Sequence, residues 1–252
     1  MAVFKPFCAF RPNKDNAKLV ASRPYDVLNS SEAKDEADGN PLSFLHIIKP
    51  EIGLPDETDP YSEAVYQKGA DVYNQFKNDR VLIQDENPSF YVYRLTMNGR
   101  TQTGIVGCCH FEEYYEGKIK KHELTRVAKE EDRVKHVDCL NANAEPVFFS
   151  YRAKEEVDTL LKNLVSADPV YDFVADDNIR HELWVIDNVS IVSKLENIFS
   201  DVPSLYVADG HHRTAAAARI GQQRKEGNSN HNGTERYNFF LAVLFSDEEL
   251  EI

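Results

Sequence analysis

Residues 88–111 read PSFYVYRLTMNGRTQTGIVGCCHF, and this stretch decides the fold. Two runs rich in β-branched and aromatic residues flank Asn98-Gly99. That dipeptide supplies the two positive φ angles a tight hairpin turn requires. The second run should end near His110 or Phe111. A hairpin of this length fixes antiparallel pairing in the sheet.

Further strands are expected on either side of the hairpin. AVFKPFCAF (2–10) and LSFLHII (42–48) read as short strands, and PVFFSY (146–151) as another. PVYDFVAD (169–176) with HELWVIDN (181–188) looks like a second pair. SLYVA (204–208) and YNFFLAVLF (237–245) complete the set. Helical spacing alternates with them. Asp59 is a candidate cap with Pro60 at the first helical position, and Val65, Gly69, Val72 and Phe76 recur on one face. Residues 112–140 predict a loop, a short extended piece and a helix capped by Thr125. Residues 155–165 place Val157, Leu160, Leu161 and Leu164 on one face. A helix is expected near 189–199. RTAAAARIGQQRKEG (213–227) is helical because alanine is the best helix former, with Gly227 as its stop. Hairpins interleaved with helices predict an α+β fold, a mixed α/β sheet with hairpins, rather than a doubly wound sheet. The chain reads as one unit over 1–252, with sub-regions 1–150 and 151–252. Its most apolar strand lies only a few residues from Ile252, which suggests the N-terminal portion of a longer protein, truncated at the C-terminus.

The chain has 252 residues and a formal net charge of -13. That field argues against nucleic acid or an anionic membrane as a partner, and any anionic ligand would need a local basic pocket. No apolar stretch reaches the roughly 18 residues of a membrane span. No signal-peptide pattern opens the sequence. Cys8, Cys108, Cys109 and Cys139 match neither a metal knuckle nor a disulfide framework, and they read as reduced packing residues. A cytoplasmic protein is the expectation; its oligomeric state is not encoded in any pattern found.

Two stretches carry chemistry. LYVADGHHRTA (205–215) is a strand, a turn and a helix start. It could hold a metal or an anion, or be a plain polar turn. A helix start presents unpaired N–H groups and the positive end of its dipole. Gly210 permits a close approach or a positive φ, and His211, His212 and Arg213 add donors suited to phosphate or carboxylate. The plain alternative makes Asp209 a helix cap and Arg213 a surface ion pair. Adjacent histidines chelate one ion poorly, and no second His follows His122-Glu123 or His181-Glu182 at four residues, so no structural zinc is expected. GKIKKHELTRVAKEEDR (117–133) is a local reversal of charge, readable either as a solvated helix face or as a cationic site. His122 and Glu123 precede its helix, where Glu123 could serve as a general base or a magnesium ligand.

The combination of Arg23-Pro24-Tyr25-Asp26-Val27, Lys121-His122-Glu123-Leu124-Thr125, Asp132-Arg133 and Asp209-Gly210-His211-His212-Arg213 resembles a largely bacterial, uncharacterised family, domain of unknown function ten-fifteen. The resemblance runs from about residue 3 to the end, and it implies a further C-terminal part. Gly210, His212 and Arg213 are also similar to the nucleotide-binding box of the ParB and sulfiredoxin superfamily, which includes free-serine kinases. The resemblance implies a ParB/sulfiredoxin-like core. His211 stands where sulfiredoxins carry their reactive cysteine, so sulfinic-acid chemistry is not implied. The neighbourhood of family genes to serine biosynthesis implies a small, serine-like substrate.

Three functions follow as expectations. The first is a nucleotide-dependent phosphotransferase using ATP or ADP with magnesium. Gly210, His211, His212 and Arg213 would hold phosphates, Glu123 would take a hydroxyl proton, and His122 would orient substrate. Asp209, with Asp26, would carry magnesium. Tyr25, Thr125, Arg126 and Arg133 would support the site. The second is a non-catalytic protein that binds a nucleotide or a phosphorylated metabolite. The third is a metal-dependent hydrolase built on His122, Glu123, His211 and His212. All three require residues 122–126 and 209–213 to share a cleft.

Overall fold

A computed structural model describes residues 2–250. Its first two short strands are β1 (Phe4–Lys5) and β2 (Phe10–Pro12), and β3 is Leu82–Gln84. The hairpin forms as read, from β4 (Phe90–Met97) and β5 (Arg100–His110). They pair antiparallel from Tyr91–Val106 to Met97–Arg100. Asn98 and Gly99 take φ of 52° and 81°, the left-handed pair the turn needs. The remaining strands are β6 (Ile119–Lys120), β7 (Val147–Tyr151), β8 (Tyr171–Val174), β9 (Arg180–Ile186), β10 (Leu205–Asp209) and β11 (Phe239–Ser246).

The main sheet runs β6-β10-β7-β11-β5-β4-β9-β8, with β1 added beside β5. Only β6–β10 and β7–β11 are parallel among its described pairs, so the sheet is mixed. It takes strands from both sides of residue 150. The helices are α1 (Ala17–Val20), α2 (Ser30–Ala37), α3 (Leu45–Ile48), α4 (Glu63–Asn78), α5 (Glu112–Tyr115), α6 (Val127–Leu140), α7 (Glu155–Leu164), α8 (Val189–Ser200) and α9 (His211–Gly227). The fold is mixed α/β. Among the described residues no helix is long and apolar enough to cross a membrane.

The largest core gathers Phe4, Phe90, Ile105, Phe149, Phe199 and Phe240 with residues of α7, α8 and α9. At Gly107 the backbone passes so close to the rings of Phe4 and Phe90 that a Cβ would lie 2.5 Å and 2.8 Å from them. Gly107→Ala should therefore cost about 1–3 kcal/mol through overpacking, read as a lower urea midpoint at unchanged slope. A smaller cluster, with Val20, Ile47, Phe76, Val81 and Leu140, joins α4 to α6. Helix α6 packs on α4 and also on α9, linking the N-terminal helices to the sheet layer.

Several local expectations are corrected. LSFLHII contains the helical turn α3, not a strand. Leu45, Ile47 and Ile48 are all buried, divided between two clusters, so the segment shows no strand alternation. AVFKPFCAF splits into β1, on the main sheet, and β2, which pairs with β3 in a separate two-stranded sheet. Helix α4 begins after Ser62, while Asp59 accepts from the Tyr61 N–H in the preceding turn. Part of the loop expected after residue 111 is the single helical turn α5.

Helix α5 buries a carboxylate. Glu113 is 2 % exposed, accepts from the Val3 N–H at 2.8 Å and lies 3.9 Å from Lys118 Nζ. Burial raises its pKa to about 7 against these favourable contacts. The folded-state value lies above the unfolded one, so the group's contribution is fully present below pH 4.5 and is lost as pH rises through 7. Glu113→Gln keeps an acceptor for Val3. It should be stabilising by about 2 kcal/mol at pH 8 and nearly neutral at pH 4, measured by urea unfolding at both values.

Candidate functional site

Strand β10 delivers the site. Its pairing with β7 shifts register between Val207 and Asp209, a bulge at Ala208 immediately before the turn. Gly210 then takes φ 87°, a left-handed conformation that costs other residues energy, and α9 starts at His211. Gly210 is the helix N-cap and has no side chain to cap with. Asp209 does not cap it: its Oδ2 accepts from Arg213 Nη2 at 2.7 Å. Arg213 is not the surface residue of the plain reading either. Its side chain is only 10 % exposed, and Nη1 donates to Pro146 O at 2.8 Å.

Residues 122–126 reach the same place. The Arg126 N–H donates to His212 Nε2 at 3.1 Å. His122 and His211 meet edge to face with ring centroids 4.4 Å apart. Glu123 Oε2 lies 3.9 Å from His211 Nδ1, and its Oε1 lies 4.0 Å from His122 Nε2. Tyr25 and Asp26 close the far wall, so one cleft of about 80 Å³ is lined by Tyr25, Asp26, Glu123 and residues 209–213. A water takes roughly 30 Å³ in the liquid, so the space suits a phosphoryl-sized group.

Beneath the cleft is a cationic stack. The Arg133 guanidinium lies 3.9 Å from the Tyr25 ring centroid, and that of Arg213 lies 6.0 Å from it. Arg133 Nε and Nη2 donate to Asp132 Oδ2 at 3.0 Å and 2.8 Å. Its Nη1 is 3.8 Å from Glu145 Oε2, and Glu145 Oε1 accepts from the Tyr25 N–H at 3.0 Å. Burial raises the pKa of Glu145, a pull that Arg213, the Tyr25 N–H and Arg133 do not fully offset. Burial acts against charge on Arg133 too, but Asp132, Tyr25 and Glu145 outweigh it and raise its pKa. A second cavity behind Arg213, with Arg133, His136, Asn143 and Glu145 on its wall, measures about 20 Å³, room for one water.

The two site histidines favour their neutral forms. Burial lowers the His211 pKa, helped by His122, and burial with Lys129 and Arg126 lowers that of His212. Three buried polar atoms here have no hydrogen-bond partner among the described residues: His211 Nε2, Arg213 Nε and Arg133 Nη1.

Thr125 is not the cap of α6. The N-cap is Arg126, without a side-chain bond, and the Thr125 hydroxyl donates to Glu130 Oε2 at 2.8 Å. Among the described residues no group of three or more His, Cys, Asp and Glu side chains is placed to hold a metal ion. His212 spends its Nε2 on the Arg126 N–H, which takes it out of the four-residue set of the hydrolase expectation. Sequence reasoning missed Glu145 and the bulge at Ala208. A lone carboxylate before an apolar strand has no periodic signature.

A family model described as "Protein of unknown function (DUF1015)" matches residues 4–252. The chain belongs to that family. No curated protein matches the DUF1015 chain, and no solved structure does. None of these comparisons shows a likeness to the ParB and sulfiredoxin superfamily.

Proposed function

We propose that the cleft is the site of a nucleotide-dependent phosphotransferase acting on a small hydroxyl-bearing acceptor, serine-like by family resemblance. The observation that carries this reading is the Arg126 N–H···His212 bond, which joins stretches 86 residues apart in the chain. It brings a helix start, a deeply seated arginine and an uncommitted carboxylate into one space. Phosphoryl transfer asks the protein for positioning and charge neutralisation more than for covalent chemistry, and these residue types supply both.

The α9 N–H groups and Arg213 hold the phosphates of ATP or ADP. The acceptor oxygen attacks the terminal phosphorus, the bond to the nucleotide's bridging oxygen breaks, and the hydroxyl proton passes to Glu123. His122 and neutral His211 flank that carboxylate and orient it. Asp209 and Asp26 both face Arg213, at 2.7 Å and 3.8 Å. Magnesium bound to the nucleotide needs only one or two carboxylates besides phosphate oxygens, which suits that pair.

Two assays on the whole chain test the reading: a thermal-shift panel of nucleotides with magnesium, and turnover with small hydroxyl acceptors. Stabilisation by a nucleotide together with phosphorylated acceptor is expected. Stabilisation without turnover would replace this reading by that of a nucleotide-binding regulatory protein, and neither signal would remove both.

A further inference from the structure

Residues 121–126 join β6 to α6 and carry Glu123 to the wall of the cleft. Burial does little to hold them there. All but Thr125 are exposed, Leu124 at 97 %. Among the described residues, two of their hydrogen bonds stay within the segment and the helix that follows. The Thr125 hydroxyl donates to Glu130, and the Arg126 carbonyl accepts from the Glu130 N–H. The bond that reaches α9 runs from the Arg126 N–H to His212 Nε2, at 3.1 Å. Two softer contacts accompany it: the His122 ring edge-on to His211, and Lys121 Nζ 3.8 Å from the Tyr114 ring centroid.

The chemistry of that bond fixes the state of the ring. A backbone N–H can only donate, so Nε2 must be the unprotonated nitrogen. His212 is therefore the neutral Nδ1–H tautomer while the bond is made. A second proton would have to go to Nε2. It would turn the acceptor into a donor facing another N–H. Protonation and the bond exclude each other.

The surroundings of His212 bear on the same equilibrium. Burial opposes charge on the ring first, and Lys129 and Arg126 oppose it from α6 and its N-cap. Asp26 and Glu123 favour charge, while His211 adjoins the ring on α9. Burial and the cations prevail and lower the pKa from its ordinary value of 6.5. The ring is neutral above that value, and it charges only as pH falls below it.

We propose that His212 is a proton-operated latch on the cleft. Neutral, it is the positioning residue that holds residues 121–126, and Glu123 with them, against α9. Protonated, it releases them. The cleft is assembled at neutral pH and opens on acidification. The latch would regulate the site of the proposed function, but the inference rests on the cleft's geometry and not on phosphoryl transfer.

A pH titration of the whole, unliganded chain from pH 8 to pH 5 tests it, followed at the histidine rings and the backbone amides by magnetic resonance. At pH 8 His212 should be the Nδ1–H tautomer. On acidification the His212 ring and the Arg126 amide should titrate with one midpoint. Protection of that amide against exchange, corrected for the intrinsic rate, should fall about five-fold, the size expected for one hydrogen bond. His212→Gln places an amide oxygen near the position of Nε2 and cannot titrate, so it should keep the protection and lose the transition. His212→Ala should show the low protection at every pH. An Nε2–H tautomer at pH 8, an Arg126 amide indifferent to the titration of His212, or a transition retained in His212→Gln would overturn the inference. The wild-type titration decides it even if a variant fails to fold. None of these readouts involves nucleotide or turnover. The phosphotransferase reading can therefore fail with the latch intact, and the latch can fail while turnover persists.

Discussion

Glu123→Gln should lower turnover by about 10²–10⁴-fold while leaving nucleotide affinity nearly unchanged. The substitution keeps the side chain's size and one acceptor oxygen but removes its ability to take a proton. Glu123 is 64 % exposed at its side chain, so its charge should contribute little to stability. Its carboxylate instead lies 4.0 Å from His122 Nε2 and 3.9 Å from His211 Nδ1, on the wall of the cleft. Steady-state kinetics alongside calorimetry separate the two readouts. A variant with wild-type turnover would remove Glu123 as the base, and one with lost affinity would make it a binding residue.

Arg133→Ala should be the most damaging single change to stability, at about 3–5 kcal/mol. Arg133 is 7 % exposed and serves three partners at once: Asp132, Glu145 and the Tyr25 ring. Its removal takes the cation from two carboxylates whose side chains are 12 % and 10 % exposed, leaving Asp132 with the Tyr66 hydroxyl and Glu145 with the Tyr25 N–H. An uncompensated buried charge costs more than the lost pair contributed. The melting temperature should fall by about 10 °C. Adding Glu145→Gln to Arg133→Ala should recover part of that loss, because one stranded charge is then neutral. Strict additivity of the two substitutions would contradict the coupling between them.

What the sequence made legible was local. The Asn98-Gly99 turn is set by two backbone angles, α7 by its helical spacing, and β7 and β11 by short continuous apolar runs. Gly210 was legible for the same reason, since a strand-to-helix turn favours positive φ. What escaped was non-local or too short to show a period. The turn of α3 is buried on several sides and shows neither alternation nor a stripe. Thr125 looked like a cap because it precedes a helix, but its hydroxyl found Glu130 instead. The seat of Tyr25 depends on Glu145, 120 residues away.

The chain contains eight histidines, and two of them, His211 and His212, begin the helix on which the account depends. The most direct measurement is a long-range proton–nitrogen correlation spectrum of the histidine rings, recorded while magnesium and ADP or ATP are titrated in. The account predicts that the ring nitrogens of His211 and His212 move first and furthest, with His122 following. His46, His110, His136, His181 and His231 should stay in place. Saturable shifts confined to those five, or no shift at nucleotide concentrations that stabilise the protein, would place the ligand elsewhere and contradict a phosphate site at the start of α9.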